Sequence, residues 1–313
     1  MLMVLLWILG FLILAVLGIS FVCFRMAFYA DRKPDTEEFP LPVGPEYEPH
    51  RELMKKFIIQ TRALPHEAGE ITSFDGLKLR GKYYEYAPGA PIELMFHGYR
   101  GNAERDLCGG VQRCFALGRN VLIVDQRTSG KSGGKVITFG INESRDCHSW
   151  VEFMISHFGP EVQIILTGIS MGAATVMIAA GQPLPKNVIG ALADCGYTSA
   201  EAIIKKVIRQ IHLPADLLYP VVKLSAKLSG RFDLEEFSPI DSMKQCTIPI
   251  IFAHGEADDF VPCSMSRENY EACTAPKAIF TVPGAGHGLS YPVDEDAYLN
   301  ALRNFSFQTT STH

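Results

Sequence analysis

The first stretch of the chain is its longest apolar run: Met1 to Phe24 carries no charge, and the first basic residue is Arg25. As a helix rising ~1.5 Å per residue it would reach about 36 Å, enough to cross a hydrocarbon core of ~30 Å. The pattern predicts a membrane span over residues 1–24. Residues 25–50 follow with Pro34, Pro40, Pro42, Pro45 and Pro49 among acidic side chains, and read as an extended linker. Leu53, Met54, Phe57 and Ile58 recur at helical spacing and predict a short helix over 51–61.

Ile71 to Tyr86 reads as a hairpin turning at Asp75-Gly76. Beyond it, short apolar runs alternate with helical patterns, and strands are predicted at 91–96, 121–125, 162–166, 188–193, 248–253 and 277–282. Such alternation implies an α/β fold with a mostly parallel sheet and helices on both faces. Residues 51–313 read as one domain. The alternation breaks once, over about 197–238. There Ile204, Val207, Ile208 and Ile211 share one helical face, Lys205, Lys206 and Arg209 lie elsewhere, and Leu217, Leu218, Val221, Val222, Leu224 and Leu228 continue the apolar content.

Composition narrows the function classes. With 313 residues, 47% hydrophobic, and a net charge of −5, the chain has room for a large core and no basic surplus for nucleic acid. A cleaved signal peptide would start with a basic region and end in small residues, and residues 1–24 do neither. Arg25, Arg32 and Lys33 all follow the span, which favours the cytoplasmic side for the domain, with the exported side as the alternative. Eight cysteines without close pairing agree with a reducing compartment and give no metal-site spacing.

The candidate chemistry centres on Gly168-Ile169-Ser170-Met171-Gly172, between an apolar strand and a small-residue helix. A serine on so sharp a turn needs small neighbours, which Gly168 and Gly172 supply. A serine hydroxyl also needs a base to take its proton and an acid to orient that base. Downstream, the strand ending near Ala253 leads into His254-Gly255-Glu256-Ala257-Asp258-Asp259, and the strand ending at Val282 leads into a glycine-rich loop holding His287. The other eight histidines lie in helical stretches, polar segments or beside strand-end glycines, where structural roles suffice. Thr128-Ser129-Gly130-Lys131-Ser132 ends like a phosphate-binding loop, but Asp125 stands where the upstream glycine belongs and β-branched residues follow instead of a helix.

From about Ile71 to Phe305 the chain resembles the α/β-hydrolase family, through the serine pentapeptide, His254-Gly255-x-x-Asp258-x-x-Val261-Pro262, and the late His287. The resemblance implies Ser170 as nucleophile, His287 as base and Asp258 as acid. Asp259 is the backup acid, and Asp194, after the strand at 188–193, is a third. It also implies an oxyanion hole from the backbone amides of Tyr99, in His97-Gly98-Tyr99, and Met171. The interrupting segment at about 197–238 corresponds to the family's cap, readable as a packed helix pair or as a lid that touches lipid. No cofactor or metal is expected. The expected substrate is an ester with a short or medium acyl group, with a small peptide as the alternative if Glu235-Glu236 binds a free α-amine. A non-catalytic hydrolase-fold scaffold at the membrane is the reading from another class.

Overall fold

The computed structural model describes residues 1–31 and 38–307. Arg32 and Lys33, which carried part of the orientation argument, lie outside the described residues, as does the C-terminus at His313.

One eight-stranded sheet organises the chain, in the spatial order β1-β2-β4-β3-β5-β6-β7-β8. The strands are β1 (Glu67–Thr72), β2 (Lys78–Tyr84), β3 (Ile92–Phe96), β4 (Asn120–Asp125), β5 (Ile164–Ile169), β6 (Val188–Asp194), β7 (Ile250–Gly255) and β8 (Lys277–Val282). β2 pairs antiparallel with both β1 and β4, and every other pairing is parallel. The helices are α1 (Leu2–Ala27), α2 (Arg51–Ala63), α3 (Ala103–Asp106), α4 (Gly110–Ala116), α5 (Ile141–Phe158) and α6 (Met171–Ala180). They continue as α7 (Ala200–Gln210), α8 (Ala215–Ser225), α9 (Pro239–Met243), α10 (Cys263–Ala272), α11 (Ser290–Val293) and α12 (Glu295–Asn304).

The central strands are apolar on consecutive residues because both faces of the sheet are covered. In β4, Leu122 and Val124 face the layer containing Trp150, Val151 and Met154 of α5, whereas Val121 and Ile123 face Val111 and Cys114 of α4. In β5, Ile164 and Leu166 join Val176 and Met177 of α6, and Ile165 joins Leu299 and Leu302 of α12 on the opposite side. Helix α6 lies under the sheet with all ten residues buried. This layering leaves the C-terminal ends of the parallel strands as one rim, where the candidate residues gather.

Helix α1 is the one helix among the described residues long and apolar enough to cross a membrane, with a mean hydropathy of 3.0 over its most apolar window. Its side chains are exposed along most of its length, and only one face of its last turns is buried. Ser20 and Phe24 are buried, and Phe28 just beyond the helix is fully enclosed. Phe24 and Phe28 pack among Tyr219 and Val222 of α8 and Phe232 after it. The chain then runs beside residues 135–137: the Ala30 amide donates to the Lys135 carbonyl at 2.9 Å and the Ile137 amide to the Phe28 carbonyl at 2.8 Å.

The segment read as a linker is therefore docked over its described parts. Besides Phe28, Leu41 is buried against Met54, Ile58 and Leu289, and the Tyr47 hydroxyl donates to the His287 carbonyl at 3.0 Å. It turns at residues 45–47 and closes in a short 3-10 helix, Glu48–His50, and a few large apolar side chains tie it down.

Candidate active site

Strand β5 and helix α6 meet at Ser170, whose backbone sits at φ 58°, ψ −117°. Few side chains tolerate that conformation, and it persists only where the surroundings enforce it. Here the Ser170 amide donates to the Asp194 carbonyl at 2.8 Å. A Cβ on Gly168 would lie 2.0 Å from the Gly172 carbonyl oxygen, and one on Gly172 would lie 2.0 Å from the Phe96 oxygen. Strand and helix pass too closely there for any side chain.

His287 comes from the loop between β8 and α11, and Asp258 from the loop between β7 and α10. His287 Nε2 lies 2.9 Å from Ser170 Oγ, and His287 Nδ1 lies 2.7 Å from Asp258 Oδ2. Asp258 is further held by the Phe260 and Val261 amides, which donate to Oδ1 at 2.9 and 2.8 Å. Buried His254 supports the same loop: its Nε2 lies 2.8 Å from the Val261 carbonyl oxygen and 3.2 Å from Asp258 Oδ2, and its Nδ1 2.6 Å from Ser266 Oγ. Burial works against the Asp258 charge. Hydrogen bonds from His254 and His287, the charge of His287 and the Val261 amide outweigh it and hold the carboxyl down at about 2.

Near neutral pH, Asp258 is thus an acceptor only, so the proton between it and His287 sits on Nδ1 and the Nε2 lone pair faces the serine. Asp259 is exposed, and its carbonyl accepts from Lys206 and Gln210 of α7. Asp194 is buried behind the serine, where the Ser290 and Tyr298 hydroxyls donate to it at 3.2 and 2.9 Å. Of the three carboxylates considered, Asp258 is the one the structure brings to His287. Cys195, Asp258 and His287 also place potential metal-ligand atoms within 4.8 Å of one another. Burial pushes the Cys195 thiol well above its ordinary range, which disfavours the thiolate that a metal would require.

The loop carrying Tyr99 abuts the serine, since a Cβ on Gly98 would lie 3.5 Å from that of Ser170. His97 shapes this loop. Its Nε2 accepts the Gln126 amide at 3.0 Å, so Nδ1 carries the proton and donates to the Gly98 carbonyl at 2.8 Å. The Gly98 amide donates to Asp106 at 3.0 Å. Outside the loop, the Tyr99 hydroxyl donates to the Ala27 carbonyl at 2.8 Å, and Arg100 Nη2 donates to the carbonyls of Met26 and Tyr29 at 2.7 and 3.0 Å. These contacts engage carbonyls at the end of α1, where helix geometry leaves acceptors without intrahelical donors. Met171 is the first residue of α6, so its amide has no acceptor inside the helix.

Beside Ser170 opens a cavity of about 170 Å³, lined by Tyr99, Asp106, Leu107, Arg113, Phe260 and Tyr291 among others. Sequence patterns had not singled out the buried cluster to which Arg113 and Thr167 of its lining belong. Glu93, the second residue of β3, is fully buried, with Arg113 at 2.5 Å, Arg119 at 2.6 Å and the Thr167 hydroxyl at 2.9 Å. Burial opposes the Glu93 charge, but the two guanidinium groups keep its carboxyl at about 2. A carboxylate inside a buried strand is the signal that could have found the cluster, because it requires a cationic partner. Glu235 and Glu236 lie outside the cavity lining. Glu235 accepts from Tyr219 and Lys223, and Glu236 pairs with Arg145 at 2.5 Å.

No family model matches the chain. The uncharacterized protein YqkD of Bacillus subtilis (strain 168) is 27% identical over 95% of this chain and 94% of its own length. Among solved structures, the esterase Pf2001 of Pyrococcus furiosus superposes with a TM-score of 0.64 at 23% identity, covering 84% of this chain and 94% of that one. An acylaminoacyl peptidase of Pyrococcus horikoshii gives a TM-score of 0.60 at 16% identity, over 82% of this chain and 44% of the peptidase. The chain has the α/β-hydrolase fold, as the sequence motifs led one to expect.

Proposed function

We propose that this chain is a serine hydrolase that cleaves a carboxylic ester of small acyl size through an acyl-enzyme. The carrying observation is the continuous hydrogen-bonded line from Ser170 Oγ through His287 to Asp258. In this reading Ser170 attacks the substrate carbonyl while its proton passes to His287 Nε2. Asp258 steadies the imidazolium, and the Tyr99 and Met171 amides hold the developing oxyanion. His287 then returns the proton to the departing alcohol. Water, activated by the same imidazole, attacks the acyl-serine and frees the acid. None of these steps calls for a cofactor.

The small acyl size is argued from the cavity, whose volume of about 170 Å³ is well below the ~300–1,000 Å³ of pockets for drug-sized ligands. The peptidase alternative draws on the fold likeness to the acylaminoacyl peptidase. It loses its proposed amine site, because Glu235 and Glu236 are engaged by Tyr219, Lys223 and Arg145. For placement, we propose residues 1–24 as an uncleaved anchor with the domain on the cytoplasmic side. Reporter fusion after His313, combined with protease added to intact cells, tests this.

Fluorophosphonate labelling of wild type and Ser170→Ala tests the central reading. Labelling should vanish with the hydroxyl while the circular dichroism spectrum stays unchanged, and labelling that persists at another serine would refute the assignment. Profiling p-nitrophenyl esters of graded chain length beside aminoacyl anilides decides between ester and peptide, with the shorter esters expected to be preferred.

A further inference from the structure

The cap carries an apolar face that the fold leaves uncovered. On α8 and the turn after it, Leu217, Pro220, Leu224 and Leu228 follow one another at helical spacing on the outer side. Leu217 is 71% exposed and Leu228 52%, and Ile211 and Leu213, in the turn between α7 and α8, are exposed beside them. The inner side is the opposite: Ala215, Tyr219, Val222 and Ala226 are buried against Phe24 and Phe28. Lys227 flanks the outer row, as does Lys223, whose ammonium group pairs with Glu235. Apolar rows flanked by lysines suit an interface between hydrocarbon and headgroups, where the lysine stems lie along apolar surface and their ammonium groups reach water or anionic lipid.

The position of α1 says which surface this is. Its apolar side chains are exposed from Leu2 to Val22, a length of about 32 Å at ~1.5 Å per residue, against a hydrocarbon core of ~30 Å. If α1 crosses a bilayer, the surface of that bilayer falls near Cys23 to Arg25. That is the level at which α8 packs on α1 through Phe24. The uncovered leucines thus belong to a helix packed on the end of α1.

We propose that the outer face of α8, with the turn before it and the turn after it, lies in the headgroup and acyl boundary of the bilayer that α1 spans; this rests on reading α1 as an anchor. The candidate site is then tied to the anchor through its wall and lies beside the cap. Tyr99, at the cavity wall, is bonded to the end of α1. Phe260, also at the wall, has its ring 5.0 Å from that of His287 and is overlain by Lys206 of α7 at 5.7 Å. Substrate is drawn from molecules that partition into the membrane surface.

Tryptophan fluorescence of the full chain in vesicles whose lipids are brominated near the headgroup end of the acyl chains tests the proposal. The chain has two tryptophans, Trp7 in α1 and Trp150 in the core. Wild type should lose emission relative to unbrominated vesicles, and Trp7→Phe should abolish that loss. In the Trp7→Phe background, Leu217→Trp and Leu228→Trp should each restore strong quenching, whereas Lys186→Trp, at the opposite end of the sheet, should not. Should Leu217→Trp fail to fold, Leu228→Trp carries the test. Quenching of Trp7 without quenching at 217 or 228 overturns the proposal and leaves the anchor standing. Blue-shifted emission at 217 or 228 without bromine quenching also overturns it, because a protein surface would then cover the face. Absence of Trp7 quenching removes the anchor reading and the proposal together.

Discussion

The Tyr99 hydroxyl donates to the Ala27 carbonyl at 2.8 Å, linking the loop beside Ser170 to the end of the N-terminal helix. Tyr99→Phe removes this bond and little else. One such bond is worth about 0.5–1.5 kcal/mol, so kcat is expected to fall roughly 2- to 10-fold with KM little changed, if the bond holds the Tyr99 amide in place. A fragment beginning at Asp31 lacks Phe24, Phe28 and the Ala27 carbonyl. It should melt lower and turn over more slowly than a fragment beginning at Ser20, with calorimetry and ester hydrolysis as the measurements.

For the acid, Asp258→Asn should lower kcat by roughly 10³- to 10⁴-fold, since an amide at this position no longer selects the productive imidazole tautomer. Asp259→Asn should change kcat less than about 3-fold, because its exposed side chain lies outside the line from Ser170 to Asp258. Asp194→Asn should reduce stability more than it reduces turnover per folded molecule, as its carboxylate accepts from Ser290 and Tyr298. Steady-state kinetics beside thermal melts separates the three outcomes.

Acid stability follows from the same carboxylate. Asp258 is held at about 2 in the fold against an ordinary value of 3.8, so its contribution is complete above about pH 4 and is lost as pH falls toward 2. The difference corresponds to about 2 kcal/mol. Denaturant melts from pH 6 to 2 should show a shallower decline for Asp258→Asn than for wild type. Parallel curves would mean that Asp258 is not held low in the fold.

The buried Glu93 cluster, which reaches the cavity through Arg113, gives a separate test. Glu93→Leu leaves Arg113 enclosed without its carboxylate, a situation that costs about 3–5 kcal/mol. The double change Glu93→Leu with Arg113→Met should recover part of that loss, because the more deeply buried guanidinium goes with its carboxylate and only Arg119, nearer to solvent, loses its partner. Urea midpoints of the single and double variants measure the recovery.

Much of the fold was legible from local pattern. Alternating apolar runs located the central strands to within a few residues, because burial on both faces demands consecutive large apolar side chains. The serine turn was legible because glycine is the residue that permits a strand and a helix to pass so closely. Asp258 and His287 could be nominated for the same reason: each lies in a polar or glycine-rich loop after an apolar strand. The choice of Asp258 over Asp259 and Asp194 was different in kind. It rested on the resemblance at His254-Gly255-x-x-Asp258-x-x-Val261-Pro262, whereas the distance of 2.7 Å to an imidazole 29 positions away in sequence comes from the folded loops, and spacing along a chain does not encode that distance.

The sequence by itself thus determined an α/β sheet, a serine elbow and an apolar N-terminal helix, all properties of short windows in which hydrophobic period, glycine sterics and chain length act directly. Tertiary structure alone decided that residues 24–30 and 38–50 belong to the folded body. There a few side chains such as Phe28, Leu41 and Tyr47 find partners hundreds of positions away, and proline-rich composition masks them. It also decided that Glu93 is neutralised by Arg113 and Arg119 and that Tyr99 is tied to Ala27. Each of these is a contact between distant segments, fixed by how helices and strands pack and not by the residues on either side.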